Sequence, residues 1–148
     1  MSALARFGAY AAAFEKAFET DDWSEVAPFF HEDAVYEVQL GAPFGGRFEG
    51  REAILAYFKK ILDTFDRRFD AREVSLLEGP TEEGGRVWLR GRADYRLSGM
   101  QSFGFELEEI ATFDGDRIRH LEDRYDAETR EDVEAWLDTH GKALGIER

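Results

Sequence analysis

Apolar residues along the chain change period several times, and each change marks an element. From Ala3 to about Thr20, Leu4, Phe7, Tyr10, Ala11, Phe14, Ala17 and Phe18 recur at three- and four-residue intervals, which predicts an amphipathic helix. Asp21 and Asp22 interrupt the pattern and are expected to cap a short second helix through Trp23, Val26 and Phe29–Phe30. Ala34–Leu40 alternates and reads as a strand, followed by a Gly- and Pro-containing loop over Gly41–Gly46. Gly50 leads into a helix whose face is Ile54, Tyr57, Phe58, Ile61, Leu62 and Phe65. Strand-like segments follow at about Arg68–Glu78, Arg86–Leu97 and Ser102–Phe113, separated by turn signals such as Gly79-Pro80 and Gly84-Gly85. Asp114-Gly115-Asp116 is a hairpin turn before a last strand, Ile118–Tyr125, and Glu128–Leu144 reads as a closing helix.

Four strands joined by short turns make an antiparallel meander, and three helices segregate to one of its faces, so the fold class is α+β. We expect one domain over residues 1–148, with a curved, antiparallel-rich sheet wrapped around three to four helices as a cone. The pocket inside it should be lined by Phe14, Phe30, Val38, Phe58, Phe105, Leu107, Leu121 and Tyr125.

Composition narrows the chemistry. Thirteen phenylalanines among 148 residues favour a roomy, aromatic-lined interior, and the absence of cysteine removes disulfides, thiol nucleophiles and thiolate metal sites. The net charge of −13 repels phosphate backbones and anionic lipid, so neither nucleic acid nor membrane is an expected partner. No apolar stretch approaches the ~20 residues that span a bilayer. The first segment lacks the basic start and apolar run of a signal peptide, so the expected location is the cytoplasm.

Two acids break the apolar faces. In the strand ending at Phe113, one parity reads Phe103, Phe105, Leu107, Glu109, Ala111, Phe113, which places Glu109 within the inward set. In the last strand Asp123 shares a parity with Leu121 and Tyr125. A three-residue hairpin loop puts Glu109 opposite Leu121, and a register slipped by one pair puts it opposite Asp123. Either way the carboxyls are neighbours, with Cβ atoms roughly 5–8 Å apart. Two carboxyls on one low-dielectric wall cannot both ionise freely, which suits acid–base work. Tyr36, sharing the inward parity of Val38 and Leu40, can position a water or donate to an oxygen.

The strand around Gly91 leaves two readings open. Regular alternation keeps Arg92 and Asp94 on the wet face. A bulge at the isolated Gly91 turns them into the pocket and sends Tyr95 and Leu97 outward.

The run Trp23–Glu37, with Phe48-Glu49-Gly50-Arg51-Glu52-Ala53-Ile54 and Phe113-Asp114-Gly115-Asp116-Arg117-Ile118, resembles the SnoaL-like group of the nuclear transport factor 2-like (NTF2-like) superfamily over nearly the whole chain. The resemblance implies the cone fold. Its function is open, because the superfamily hosts isomerases, dehydratases, cyclases, epoxide hydrolases and non-catalytic subunits. The tyrosine, base and third acid of its steroid isomerases fall on Phe14, Val38 and Glu109, so the base is lost. The limonene-epoxide-hydrolase-like pattern finds matches in Arg92, Asp94, Asp123 and Tyr36, with Val38 where that pattern has an asparagine. In that mechanism Asp123 activates a water held by Tyr36, Asp94 protonates the leaving oxygen and Arg92 bridges the acids. SnoaL-type polyketide cyclases look to an acid similar to Asp123. His31, His120 and His140 are read as structural.

The expectation is therefore a cofactor-free, metal-free acid–base enzyme acting on a small, largely apolar, oxygen-bearing molecule. It would be epoxide-hydrolase-like or cyclase-like and a homodimer through the outer sheet face. The rival is a non-catalytic binding or assembly protein using the same pocket.

Overall fold

In the computed structural model, which describes residues 2–146, the first apolar stripe winds into α1 (Ala3–Thr20). The Ser2 hydroxyl accepts the Ala5 amide at 3.1 Å and starts it. Asp21 ends it in the left-handed conformation, φ 60°, its amide donating to the Ala17 carbonyl at 2.7 Å. The aspartate pair thus closes one helix instead of opening a second. Asp22 accepts the Ser24 amide at 3.0 Å in a turn, and a single 3-10 turn, Ala27–Phe29, leads into the sheet.

β1 (Phe30–Val38) starts earlier than its alternation suggests, and a short β2 (Gly46–Glu49) begins at the last residue of the expected loop and runs over residues assigned to no element. The loop between them is tight: a Cβ on Gly45 would sit 1.5 Å from the Leu40 carbonyl oxygen. α2 (Arg51–Thr64) buries Ile54, Phe58 and Leu62, as its pattern predicts. A 3-10 turn, Asp66–Arg68, then feeds β3 (Ala71–Glu83), β4 (Arg86–Arg96), β5 (Phe103–Asp114) and β6 (Arg117–Arg124). α3 (Ala127–His140) follows, its start capped by Asp126 accepting the Thr129 amide at 2.7 Å, and a 3-10 turn, Lys142–Leu144, comes after it.

The six strands form one sheet in the order β2-β1-β6-β5-β4-β3. Every pairing is antiparallel except β1 with β6, where first and last parts of the chain run side by side. The helices cover the inner face over two apolar clusters. One joins Phe7, Tyr10 and Ala17 of α1 to Ile54 and Phe58 of α2 and to Tyr36, Val38, Ile118 and Leu121 of the sheet. The other gathers Phe65, Tyr95 and Phe103 under Val133, Trp136 and Leu137 of α3. Burial of each large side chain is worth roughly 1.5–3 kcal/mol, enough to hold a curved sheet closed around a chamber that is not fully packed.

Irregularities set which side chains enter the chamber. In β6 the register shifts beyond the hairpin turn, so Ile118 is fully buried while Leu121 and Asp123 still face inward. Ile118 therefore does not share the outward face of His120, as simple alternation implies. In β3 the shifts fall between Leu76 and Glu78 and between Glu78 and Thr81, and the partner β4 stays regular. Among the described residues no helix is long and apolar enough to cross a membrane.

Candidate functional site

The inner wall brings four residues into one row across four strands. Val38 pairs with Asp123, Asp123 with Glu109, and Glu109 with Leu89. Of the two registers open to the sequence, the fold adopts the one that sets the acids face to face. Tyr36, two residues back along β1, reaches diagonally, and its hydroxyl donates to Asp123 Oδ2.

Asp123 is 6% exposed, and its Oδ1 has no partner among groups that donate when ionised acids only accept. The carboxyl that does reach it is that of Glu109, and a hydrogen bond between two acids requires a proton on one of them. Burial first, then the Asp123 charge, pushes Glu109 well above the usual carboxylate range. Burial also raises Asp123, opposed by the hydrogen bonds from Glu109 and Tyr36. Glu109 is therefore the acid that holds the proton and Asp123 the better acceptor. Glu109 retains some accessible surface, but it lines the chamber, so that surface faces the cavity.

The chamber holds about 620 Å³, the volume of an ordinary small-molecule site. All five tyrosines of the chain line it. Tyr36 is spoken for by Asp123, Tyr57 donates to the Phe44 carbonyl, and Tyr95 donates to Asp66 at 3.0 Å. Tyr10 and Tyr125 are held protonated by burial and then by the acid pair beside them. Phe58 packs on Phe14 at 5.2 Å and on Tyr36 at 5.4 Å, giving the acids an aromatic surround.

A second polar group lies on the same wall, where Glu15 and Val74 line the chamber yet are largely exposed and so mark its mouth. Buried Asp66 accepts from Arg72 Nε at 2.9 Å and from Tyr95, and Arg72 reaches on to Glu15. Burial raises Asp66, and the Arg72 charge opposes that shift. Sequence reasoning passed over this group, because Asp66 and Arg72 sit in a charged stretch, Asp63–Arg72, that reads as solvated surface. The available signal was that Arg72 shares the parity of Val74 on its strand.

Of the pocket residues expected, Phe14, Val38, Phe58, Phe105, Leu107, Leu121 and Tyr125 line the chamber. Phe30 does not: it is fully buried behind the wall, against Tyr10 at 5.5 Å and Phe58 at 5.9 Å. Of the acid–base set, Asp123, Glu109 and Tyr36 come together. Arg92 and Asp94 do not join them. β4 pairs with β5 without a break from Arg86 to Tyr95, so no bulge at Gly91 rotates them inward. Arg92 borders the chamber, but its guanidinium bonds Asp94 at 2.9 Å over Gly104 on the outer face, each side chain 40% exposed. Tyr95 is correspondingly buried inside.

Among the described residues no histidine lines the chamber. His120 meets Glu37 at 3.1 Å on the outer face, where Glu37, His120 and Glu122 bring possible metal-ligand atoms within 4.8 Å of one another. Arg47 and Arg124 pair with those two glutamates and balance their charge.

Comparison with known proteins assigns the family. Residues 10–121 match the SnoaL-like domain model. No curated protein matches the sequence. Among solved structures, Bal32a from a soil-derived mobile gene cassette superposes with a TM-score of 0.69 at 20% identity, over 91% of this chain and 99% of that one. An NTF2-like protein from Burkholderia pseudomallei K96243 gives 0.67 at 19%, over 92% and 98%. A protein of ketosteroid isomerase-like fold from Catenulispora acidiphila, solved in complex with trimethylamine, gives 0.63 at 16%, over 94% and 97%. At these identities the likeness concerns fold alone. With its six-stranded curved sheet, three helices and matched model, the chain belongs to the SnoaL-like domain family and has the NTF2-like fold.

Proposed function

We propose that the chamber is a cofactor-free acid–base site for a small, largely apolar molecule carrying a carbonyl oxygen. Asp123 accepts a proton, Glu109 donates one and Tyr36 orients the acceptor. The observation that supports this most is the in-register Glu109–Asp123 pair, two acids facing each other on the wall of an aromatic cavity and both raised by desolvation. Such pairs separate into an acid and a base because their like charges cannot coexist in a low dielectric.

A ring closure of the aldol type uses both members. Asp123 takes the proton from the carbon beside one carbonyl, the resulting carbanion attacks a second carbonyl carbon, and the oxygen there takes the Glu109 proton. The pair then carries its proton on Asp123 and returns to its starting state by passing it to Glu109. Isomerisation of an unsaturated ketone begins with the same two transfers, which give a dienol; Asp123 then passes its proton to the γ-carbon while Glu109 takes back the oxygen proton, and no carbon–carbon bond forms. Epoxide opening through an Arg-x-Asp pair is less well supported, because Arg92 and Asp94 lie outside the wall that carries Asp123. Pairing of two copies through the outer sheet face belongs to the same reading, and sedimentation in solution tests it.

The direct assay is exchange of the α-protons of a small ketone such as cyclohexanone into D2O, followed by proton NMR with wild type and Asp123→Asn. The wild type should accelerate exchange, and the variant should lose that acceleration by about 10²–10⁴-fold. A folded Asp123→Asn protein as fast as the parent removes the catalytic role. Retention of ketones without exchange by either protein favours a binding function.

A further inference from the structure

Arg72 plays no part in the proton transfers, yet it is a largely covered guanidinium on the wall of the chamber, its side chain 13% exposed, at the end where Glu15 marks the mouth. Two contacts fix its plane. Nε donates to buried Asp66 at 2.9 Å, and the guanidinium carbon lies 4.6 Å above the centre of the Phe18 ring. Tyr95 holds Asp66 from the far side at 3.0 Å. The remaining edge of the fork is turned to Glu15, with Nη1 at 3.0 Å from Oε2 and Nη2 at 3.4 Å from Oε1.

That edge is a two-point carboxylate site, and the group occupying it is loosely held. Paired nitrogens facing paired oxygens is the geometry in which arginine recognises carboxylates. Glu15 is 51% exposed on α1, so it gains little from this pairing and can return to water at small cost. Asp66, by contrast, is buried and stays. Asp66 and Arg72 balance each other, so exchanging Glu15 for a carboxylate from outside leaves the charge around the guanidinium unchanged. The site already accommodates the charge a ligand would bring.

We infer that Arg72 is the specificity residue of the chamber: it anchors the carboxylate of an apolar carboxylic acid at the mouth by displacing Glu15, with the apolar body inside. The orientation follows from charge: the Glu109–Asp123 pair on the wall is acidic and repels an anionic end, whereas the Arg72 fork offers that end a cation. This rests on the chamber being a small-molecule site, though not on its being catalytic.

The test is competition against a neutral fluorescent occupant, N-phenyl-1-naphthylamine, by decanoate and by decan-1-ol of the same length at pH 7.5 and fixed salt. Decanoate should displace it at about tenfold lower concentration than the alcohol, the difference a charge-assisted pair supplies. Arg72→Met should abolish that preference. Glu15→Gln, a surface change that frees the fork, should strengthen decanoate about threefold and leave the alcohol alone. Arg72→Lys keeps the charge without the fork and should retain only part of the preference, which serves if Arg72→Met does not fold. Equal displacement by acid and alcohol in wild type overturns the inference and leaves the chamber as a neutral-ligand site. A preference that survives both Arg72 variants overturns it too. Failure of both compounds to displace the dye contradicts the small-molecule reading as well.

Discussion

Glu109 and Asp123 stand directly opposite each other on β5 and β6, both on the chamber wall, and their carboxyls meet. Two acids in that position do not contribute to stability as a surface pair would. Desolvation raises both carboxyls, so the pair costs the fold less while one of them holds a proton.

The pH dependence follows from the direction of their shifts. Both carboxyls bind protons more tightly in the folded chain than in the unfolded one. Between the unfolded and folded values the native state therefore carries more protons, and stability falls as pH rises through that window. The contribution is complete below the ordinary carboxylate range and is lost as pH climbs through the raised values. Glu109→Gln keeps a donor for Asp123 and cannot ionise. It should stabilise the protein at neutral pH by about 1 kcal/mol, roughly 2–4 °C in Tm, with no gain at acid pH, as thermal unfolding at pH 4.5 and 7.5 will read.

Tyr36→Phe removes the hydroxyl that donates to Asp123 Oδ2. That hydrogen bond holds Asp123 down against the effect of burial, so the variant should raise the Asp123 carboxyl further. It should also cost about 1–3 kcal/mol, the penalty of stranding a buried acceptor. Denaturant unfolding measures the loss, and the pH profile of ketone exchange should move upward on its acidic limb.

Arg92 and Asp94 pair with each other on the outer face, half in water. Arg92→Ala and Asp94→Ala should each change stability by less than about 1 kcal/mol and leave ketone exchange at the wild-type rate. Loss of exchange in either variant, with the fold intact by circular dichroism, would return them to the site.

How much of this was legible beforehand depended on the range of the interaction. Glu109 and Asp123 stood out because an acid within an alternating apolar set is a local signal, and α1, α2 and the four-strand meander rest on equally local periodicities. β2 was not readable, since Gly46–Glu49 offers four residues with no alternation and becomes a strand only by pairing with β1. The parallel union of β1 and β6 brings Tyr36 to Asp123 across 87 residues and leaves no trace in either segment alone. Of the two readings open at Gly91 the regular strand holds, and the extra residues sit opposite it, around Leu77 and Gly79-Pro80 of β3. Asp66 and Arg72 were hidden because their burial is created by the turn after α2 folding against α1, which no charged run announces by itself.

The most direct measurement is a pH titration of the Glu109 and Asp123 side-chain carboxyls by carbon-13 NMR, assigned with Glu109→Gln and Asp123→Asn. The account predicts that the pair loses its protons in two separated steps, with one proton retained well above the ordinary carboxylate range and that step abolished in Glu109→Gln. Two independent titrations within the ordinary range, each unaltered by replacing the other residue, would contradict it.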